Sequence, residues 1–595
     1  MQFTKLKIKE FLKKYNSMNL VTADNKKLWS KNKKNLLVGI WCVDNEHKYK
    51  KEKNKKYLIS KYHWNDQIKF RKDLKYLEKV YNLLLNNLYL NLNKFHKSKY
   101  PRRYWEIILY KWLWVYLFRV FDCWEIIRSI KIKNKKISSK NFLYEEKNFI
   151  PKDSDEFSTS MLYSEDWNHW IYTKILESVG GINCNYINKN KIKPKFWYKK
   201  NEYESANYLL NSFSFLPTSK KIYSQNTYFS KEFEVMYRFF NRQFGYKKEI
   251  QVKNLNTPLN IRGREDLSKL KKGDKFTKFA MSIIKYQLPK IYLENFKKIN
   301  ELIEKSGVPK KPKIILTSLD HIWNDVFKIY SAKNVINDTK LYILQHGGCY
   351  GITDFNLDEK NELRIADKFL TWGWKDSNKK ALPLFLQQNL YKKIKKKSNA
   401  SGLVLPIMEF TILPGQDFLQ GSPRNKIETN KYIDNIVSFL SLINKDILKE
   451  SSFKYIIGYK YNYVKKSLKY KFPKLKFENP NKNTAEISEN FKLVVDTVNS
   501  SGFLQSLNLN IPIILIYDKK YSSLRKSAIK DYQMLEKAKI IHNSPQEAAN
   551  FINSNYDHLE KWWNSKFLQK VRSKFCNKYA KQSETPLKNL KKILF

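Results

Sequence analysis

The sequence predicts an α/β protein: two Rossmann-like domains facing a cleft, with a large helical insertion in the N-terminal half. Three observations carry that prediction. Apolar runs of strand length alternate with helical stretches in both halves, as in Lys313–Ser318 and Lys340–His346, then Gly402–Ile407, Phe453–Gly458, Leu493–Asp496 and Ile511–Tyr517. Such alternation builds parallel sheets covered on both faces. One of these runs stops at Gln345-His346 and opens into Gly347, Gly348 and Gly351. Glycine lets a ligand approach the main chain, and open α/β sheets bind ligands outside the carboxyl ends of their strands. Finally, 595 residues exceed what one hydrophobic core organises.

Taken in order, the first thirty or so residues read as a helix and a polar connection, and Asn35–Val43 as a buried first strand. From Tyr62 to about Ile130, apolar residues recur at helical spacing (Leu74, Leu77, Val80, Tyr81, Leu84), which predicts two or three long helices. Lys131 to about Lys200 is polar and irregular apart from a helix near Trp167–Val179, and residues 228–306 read as mainly helical until Pro309 and Pro312. Together these define the helical insertion, about 60–300, on the acceptor side of an N-terminal domain spanning 1–375. A helix Glu359–Phe369 and a short strand Phe369–Trp374 close that domain. The Lys-, Asn- and Gln-rich stretch Asp376–Ser401 opens a nucleotide-donor domain, 376–595, that ends in helices from Pro545 to about Tyr579.

The formal charge is +57, from 113 basic and 56 acidic residues. An excess of this size normally points to nucleic acid or an anionic surface. Here it is mostly Lys, spread along the whole chain with abundant Asn, Ile and Tyr, which fits an A+T-rich coding bias better than a binding patch; no nucleic-acid partner is expected. Cys42, Cys123, Cys184, Cys349 and Cys576 are scattered and odd in number, which argues against a disulfide framework or a zinc site and for a reducing cytoplasm. Met1–Leu12 lacks the apolar core of a signal peptide. The best membrane candidate, Ile107–Phe121, is interrupted by Lys111 and Arg119 and reads as a buried helix, with peripheral contact at the membrane interface as the alternative.

The second informative stretch is Leu493–Tyr517: a strand, a polar turn Asp496–Gly502, a short helix and another strand. Thr497, Asn499, Ser500 and Ser501 place hydroxyl, amide and backbone N–H donors where a helix begins, a setting that favours phosphate. Ordinary N-capping explains the same residues. Paired with the His-Gly-Gly loop of the other half, they point to a cleft for a nucleotide phosphate.

Several pieces resemble a transferase family of bacterial O-antigen clusters, of the GT-B type: Val38–Cys42, Tyr62–Asp66, Arg103–Trp105, Phe121–Glu125, Gln345–Gly351 and Ala366–Trp374, with the Asp496–Tyr517 stretch. More distantly, the glycine loop and the Ser-Ser turn are similar to the paired motifs of glycerophosphate polymerases and of transferases that use CMP-activated acidic sugars. The resemblance implies a cytoplasmic enzyme, free or peripheral on the inner face of the membrane. It would build surface polysaccharide from a nucleotide-activated sugar, CMP-sugar favoured, on a glycan or lipid-linked acceptor, with no other cofactor. It further implies donor phosphate on Ser500 and Ser501, with Gln345, Gly347, Gly348, Thr497 and Asn499 around it and His346 across the cleft. In such enzymes a His-Pro-type motif precedes the Ser-Ser turn. Here Gly458–Tyr463 has neither residue, and Lys460 supplies a point charge instead, compatible with a changed donor or a weakened enzyme.

Inverting displacement needs a carboxylate base, and Glu359, Glu362 and Asp320 are the candidates, though each is better explained as a solvated or capping carboxylate. His321 reads as structural. Asp153 and Asp155 form a DxD, a metal-holding pair in some glycosyltransferases, but without a preceding strand they read as a surface loop, so no metal is expected. Three other readings stand beside the glycosyltransferase: a glycerophosphate-type transferase of the same fold, a catalytically silent relative, and a basic protein that binds nucleic acid or membrane.

Overall fold

The computed structural model describes residues 17–43, 57–133, 137–196, 219–243, 255, 257–377, 379–408, 426–455, 463–517 and 524–595. Their strands form three sheets. The first holds β1 (Met18–Val21), β2 (Lys34–Leu37), β3 (Tyr57–Ile59), β4 (Ile137–Asn141) and β5 (Asn183–Tyr186) in the order β3-β2-β1-β4-β5. The second holds β6 (Ile222–Ser224), β7 (Ile314–Thr317), β8 (Lys340–Leu344), β9 (Lys368–Thr371) and β10 (Ala381–Pro383), laid side by side in sequence order. The third holds β11 (Leu403–Ile407), β12 (Ser452–Tyr455), β13 (Lys476–Phe477), β14 (Leu493–Asp496), β15 (Ile513–Ile516) and β16 (Ile541–His542) in the order β13-β12-β11-β14-β15-β16. Every strand pair is parallel.

The third order is that of a doubly wound dinucleotide fold, whose crevice opens where the chain reverses direction across the sheet. Here that reversal lies between β11 and β14, so the turn after Asp496 sits at the crevice. The first sheet repeats the same order without a sixth strand. The pair of facing α/β sheets expected of the GT-B type is present, as the second and third sheets, and a further α/β sheet precedes them.

Of the strands read from apolar runs, β7, β11, β12, β14 and β15 are buried along their whole length and β8 only in part, whereas the equally buried β1 stands where a helix and a polar connection were expected. The region expected as a helical insertion also contains β4, β5 and β6. The run Asn35–Val43 is strand only to Leu37, then turns into a short helical segment Ile40–Cys42. β10 still pairs with β9 beyond residue 376, so the chain passes between the second and third sheets in the stretch after Pro383. It returns at its end: Leu590 and Leu594 of the helix Pro586–Leu594 pack into the cluster formed by Ile222, Ile314, Leu316 and Leu370 of the second sheet.

Between the first and second sheets runs the helix Arg102–Lys133, packed against the helices Gln67–Phe95, Glu165–Val179 and Asp325–Val335. Trp105, Trp112 and Trp114 are fully buried on it, among the largest apolar contributions to this part of the core. Its interrupting charges are internal: Lys111 Nζ lies 2.6 Å from Asp358 Oδ1, and Arg119 pairs with Asp122 and Asn168. The aromatic run Ile107–Phe121 is therefore protein interior, and among the described residues no helix is long and apolar enough to cross a membrane.

Candidate active site

The glycine loop begins where β8 ends, and Gln345 fixes its shape. The fully buried Gln345 side chain donates to the Gly347 carbonyl at 2.7 Å; its Oε1 accepts from the Trp372 backbone N–H at 2.9 Å and the Trp374 indole at 2.8 Å. Gln387 in turn donates to the Gln345 carbonyl at 2.6 Å. Gln345, expected near donor phosphate, thus spends its amide on bracing the loop. Gly351 needs its lack of side chain: its φ is +71°, and a Cβ would fall 2.4 Å from the Trp374 ring.

His346 stands at the carboxyl end of β8, with a side chain 12% exposed. Tyr350 Oη lies 3.2 Å from His346 Nε2 and donates to Glu362 Oε1 at 3.1 Å. Glu362 comes from the helix Leu357–Ile365, is buried, and brings Oε1 to 3.8 Å from His346 Nδ1 and 3.1 Å from His321 Nε2. The His321 contact lacks hydrogen-bond geometry, and neither nitrogen of that ring has a partner among the described residues. Burial pushes the Glu362 carboxyl well above the usual carboxylate range, against the downward pull of His346. Burial likewise holds the His346 imidazole below its ordinary value and, helped by Lys111, takes His321 down to about 3. A dry site of this kind moves carboxyl and imidazole affinities toward each other, the condition for sharing a proton.

The opposing lip is built differently. Asp496 closes β14 and folds back to accept from the backbone N–H groups of Thr497 and Val498 at 2.9 and 3.2 Å. Ser500 is the N-cap of the helix Ser501–Asn508 and accepts from the Gly502 N–H at 3.2 Å. Thr497 Oγ1 lies 3.2 Å from Tyr432 Oη, and Asn499 is buried with its carbonyl oxygen on the Tyr532 hydroxyl at 2.9 Å. The two lips meet where the Gly348 N–H donates to Ser501 Oγ at 2.9 Å and the Cys349 thiol lies 3.7 Å from the Asn499 carbonyl. A Cβ at Gly348 would lie 2.7 Å from the Ser501 nitrogen, so only glycine permits that approach.

The fold therefore gathers His346, Gly347 and Gly348 against Asn499, Ser500 and Ser501, and sets Glu362 behind His346. Glu359, a candidate base in the sequence, holds the Gly351 N–H at 2.6 Å and Arg525 at 2.6 Å; Arg525 also donates its backbone N–H to the Ile352 carbonyl at 2.8 Å. That carboxylate clamps the glycine loop to the third sheet's domain. Asp320 is buried and accepts from Asn226 at 2.6 Å beside the carboxyl end of β7. Lys460 lies outside the described residues, as does the segment 456–462. Asp153 and Asp155 are half-buried instead of surface-exposed, and burial beside Asp325 takes Asp153 up to about 7. Among the described residues no group of three or more His, Cys, Asp or Glu is placed to hold a metal ion. Sequence reasoning missed Tyr350, although it stands within the glycine loop four residues after His346, and Arg525.

Among solved structures, the chain is similar to a variant of the wall teichoic acid polymerase TagF soaked with CDPG, at 10% identity and a TM-score of 0.31, over 63% of this chain and 88% of that one. It is also similar to the MnaA protein of S. aureus with UDP, at 9% identity and a TM-score of 0.31, over 50% of this chain and 76% of that one. No curated protein matches it. The family model described as LIC12162 family transferase matches residues 18–594, nearly the whole chain. The chain belongs to the LIC12162 family of transferases.

Proposed function

We propose that this transferase is glycosyltransferase-like and moves a sugar, or a glycerophosphate-type unit, from a nucleotide-activated donor to a glycan or lipid-linked acceptor of a bacterial surface polysaccharide. The observation that carries the reading is the 2.9 Å bond between Gly348 N–H and Ser501 Oγ. It sets the half-buried histidine of one sheet's carboxyl edge against the N-terminus of the helix Ser501–Asn508, at the crevice of the other. Helix N-termini favour phosphate through unpaired N–H groups and the helix dipole. Donor phosphate would lie against Ser500 and Ser501, and His346 would hydrogen-bond it from across the cleft. Stabilising charge as it builds on the leaving phosphate is the largest catalytic term open to such a site. A CMP-activated donor is favoured because the glycine loop and Ser-Ser turn are similar to the paired motifs of transferases using CMP-activated acidic sugars.

The test is thermal unfolding with CMP, CDP, UDP and GDP, on the wild type and on Ser500→Ala and His346→Ala. A nucleotide that binds only the folded chain raises its stability by about 2.7 kcal/mol at one hundred times its dissociation constant. The expected result is a rise with one nucleotide that shrinks in both variants. A well-folded wild type that answers to none of them would overturn the reading.

A further inference from the structure

Between the second sheet and the third the chain makes a short helical turn, Gln387–Asn389, whose side chains reach both lips of the cleft. The buried Gln387 amide donates to the Gln345 carbonyl at 2.6 Å, and its Oε1 accepts from the Trp372 indole N–H at 2.7 Å. Two residues on, the buried Asn389 Nδ2 donates to the Gln505 carbonyl and to Asn508 Oδ1, each at 2.9 Å. Both acceptors lie on the helix Ser501–Asn508, the helix that Ser500 caps. Asn508 Nδ2 donates in turn to the Ala580 carbonyl at 2.7 Å. Gln388, between the two, meets the Gln505 side chain where both are half-exposed and water competes.

The buried amides have no freedom to turn over. An amide nitrogen only donates and an amide oxygen only accepts. A backbone carbonyl likewise only accepts and an indole N–H only donates, so the Gln345 carbonyl and Trp372 leave Gln387 a single orientation. The Ala580 carbonyl fixes Asn508 in the same way, and its Oδ1 together with the Gln505 carbonyl fixes Asn389. We propose that Gln387 and Asn389 are positioning residues: they form one tie that sets the gap between the glycine loop and the Ser500–Ser501 turn, and through that gap the fit of donor phosphate. Gln387 holds the carbonyl of the residue before His346, and Asn389 holds the later part of the helix whose first turn would carry the phosphate. The tie acts in series, so releasing either end frees one lip from the other. Its effect on nucleotide rests on the transferase reading; the tie itself does not.

The experiment is alkylation of the full chain by iodoacetamide without nucleotide, at a temperature well below the unfolding of every variant used. Gln387→Met and Asn389→Leu replace the amides by apolar side chains of similar size, and are compared singly and together. The Cys349 thiol, 3.7 Å from the Asn499 carbonyl, reports the gap, and Cys184 on β5 is the internal control. The contacts of Gly348 with Ser501 and of Glu359 with Arg525 remain in all of them. Cys349 is expected to react several-fold faster in each single variant with Cys184 unchanged, and no faster in the double variant than in the faster single one. Independent losses would multiply instead. Unchanged Cys349 rates in both single variants would overturn the proposal, and so would a double variant equal to the product of the two. Should Asn389→Leu fail to fold, Asn389→Ala replaces it with the same outcomes. Affinity for whichever of CMP, CDP, UDP and GDP stabilises the wild type is expected to fall about tenfold in the same variants; an unchanged affinity beside a faster Cys349 would overturn the link to phosphate. A wild type that answers to no nucleotide would sink the transferase reading and leave the alkylation result standing.

Discussion

The two lips of the cleft stabilise their chemistry by opposite means. The lip after β8 is dry and titratable, with two imidazoles, a carboxyl and a tyrosine hydroxyl buried together and a salt bridge, Lys111–Asp358, behind them. The lip after β14 relies on caps and backbone N–H groups: Asp496 on Thr497 and Val498, Ser500 on Gly502. Burial is costly for charge and cheap for a satisfied hydrogen bond. The first lip should therefore answer steeply to the loss of one charge or to pH, and the second only modestly to the loss of a hydroxyl.

The largest effect should come from Lys111→Met, which leaves Asp358 charged and alone in the interior. Breaking a buried pair from one side costs about 3–5 kcal/mol, and urea unfolding should show it; a loss below about 1 kcal/mol would mean that Asp358 finds water. Next is Gly348→Val, whose Cβ would collide with the Ser501 backbone. Overpacking of this kind costs about 1–3 kcal/mol. Any nucleotide response should disappear with it, because the lips are forced apart.

A change of pH should act mainly on the buried groups. Burial takes His169 and His321 to about 3 and His542 to about 4, so on acidification the unfolded chain takes up protons that the fold refuses. Their contribution is complete above the unfolded histidine value, about 6.5, and lost as pH falls below it, at about 1.4 kcal/mol per pH unit for each histidine. Glu362 and Asp153 are raised, so they work the other way and take stability as pH rises from the ordinary carboxylate range toward neutrality. Melting temperature should therefore peak near neutrality, and a midpoint climbing steadily from acid to mildly alkaline pH would contradict this account. The smallest effect belongs to the second lip: Ser500→Ala should cost about 1 kcal/mol, the worth of an N-cap, while leaving the fold intact.

Most of the second and third sheets was legible because β7, β11, β14 and β15 are buried from end to end and so read as unbroken apolar runs. The first sheet was largely illegible. β4 is Ile-Ser-Ser-Lys-Asn, whose buried Ser139 and Asn141 are satisfied by hydrogen bonds to each other and, at Asn141, by the Thr173 hydroxyl that donates to it, and β5 is a mostly exposed edge strand without apolar alternation. Polar strands that fold by local hydrogen bonding leave no hydrophobic period to read. In the site, glycine and serine spacing pointed to Gly348, Ser500 and Ser501. Three carboxylates could not be ranked, because what separates Glu362 from Glu359 is tertiary: one faces His346, the other holds Arg525.

The central claim is that the two lips form one nucleotide site, and Cys349 reports on it directly. Cys42, Cys123 and Cys576 are buried, whereas Cys184 and Cys349 are half-exposed; Cys349 lies in the glycine loop, its thiol 3.7 Å from the Asn499 carbonyl, and Cys184 lies on β5 of the first sheet. The measurement is the rate of alkylation of each cysteine, read by peptide mass, with and without the nucleotide found to stabilise the chain. The account predicts that nucleotide slows Cys349 several-fold and leaves Cys184 unchanged. Equal rates at Cys349 with and without saturating nucleotide would place the binding site elsewhere and contradict it.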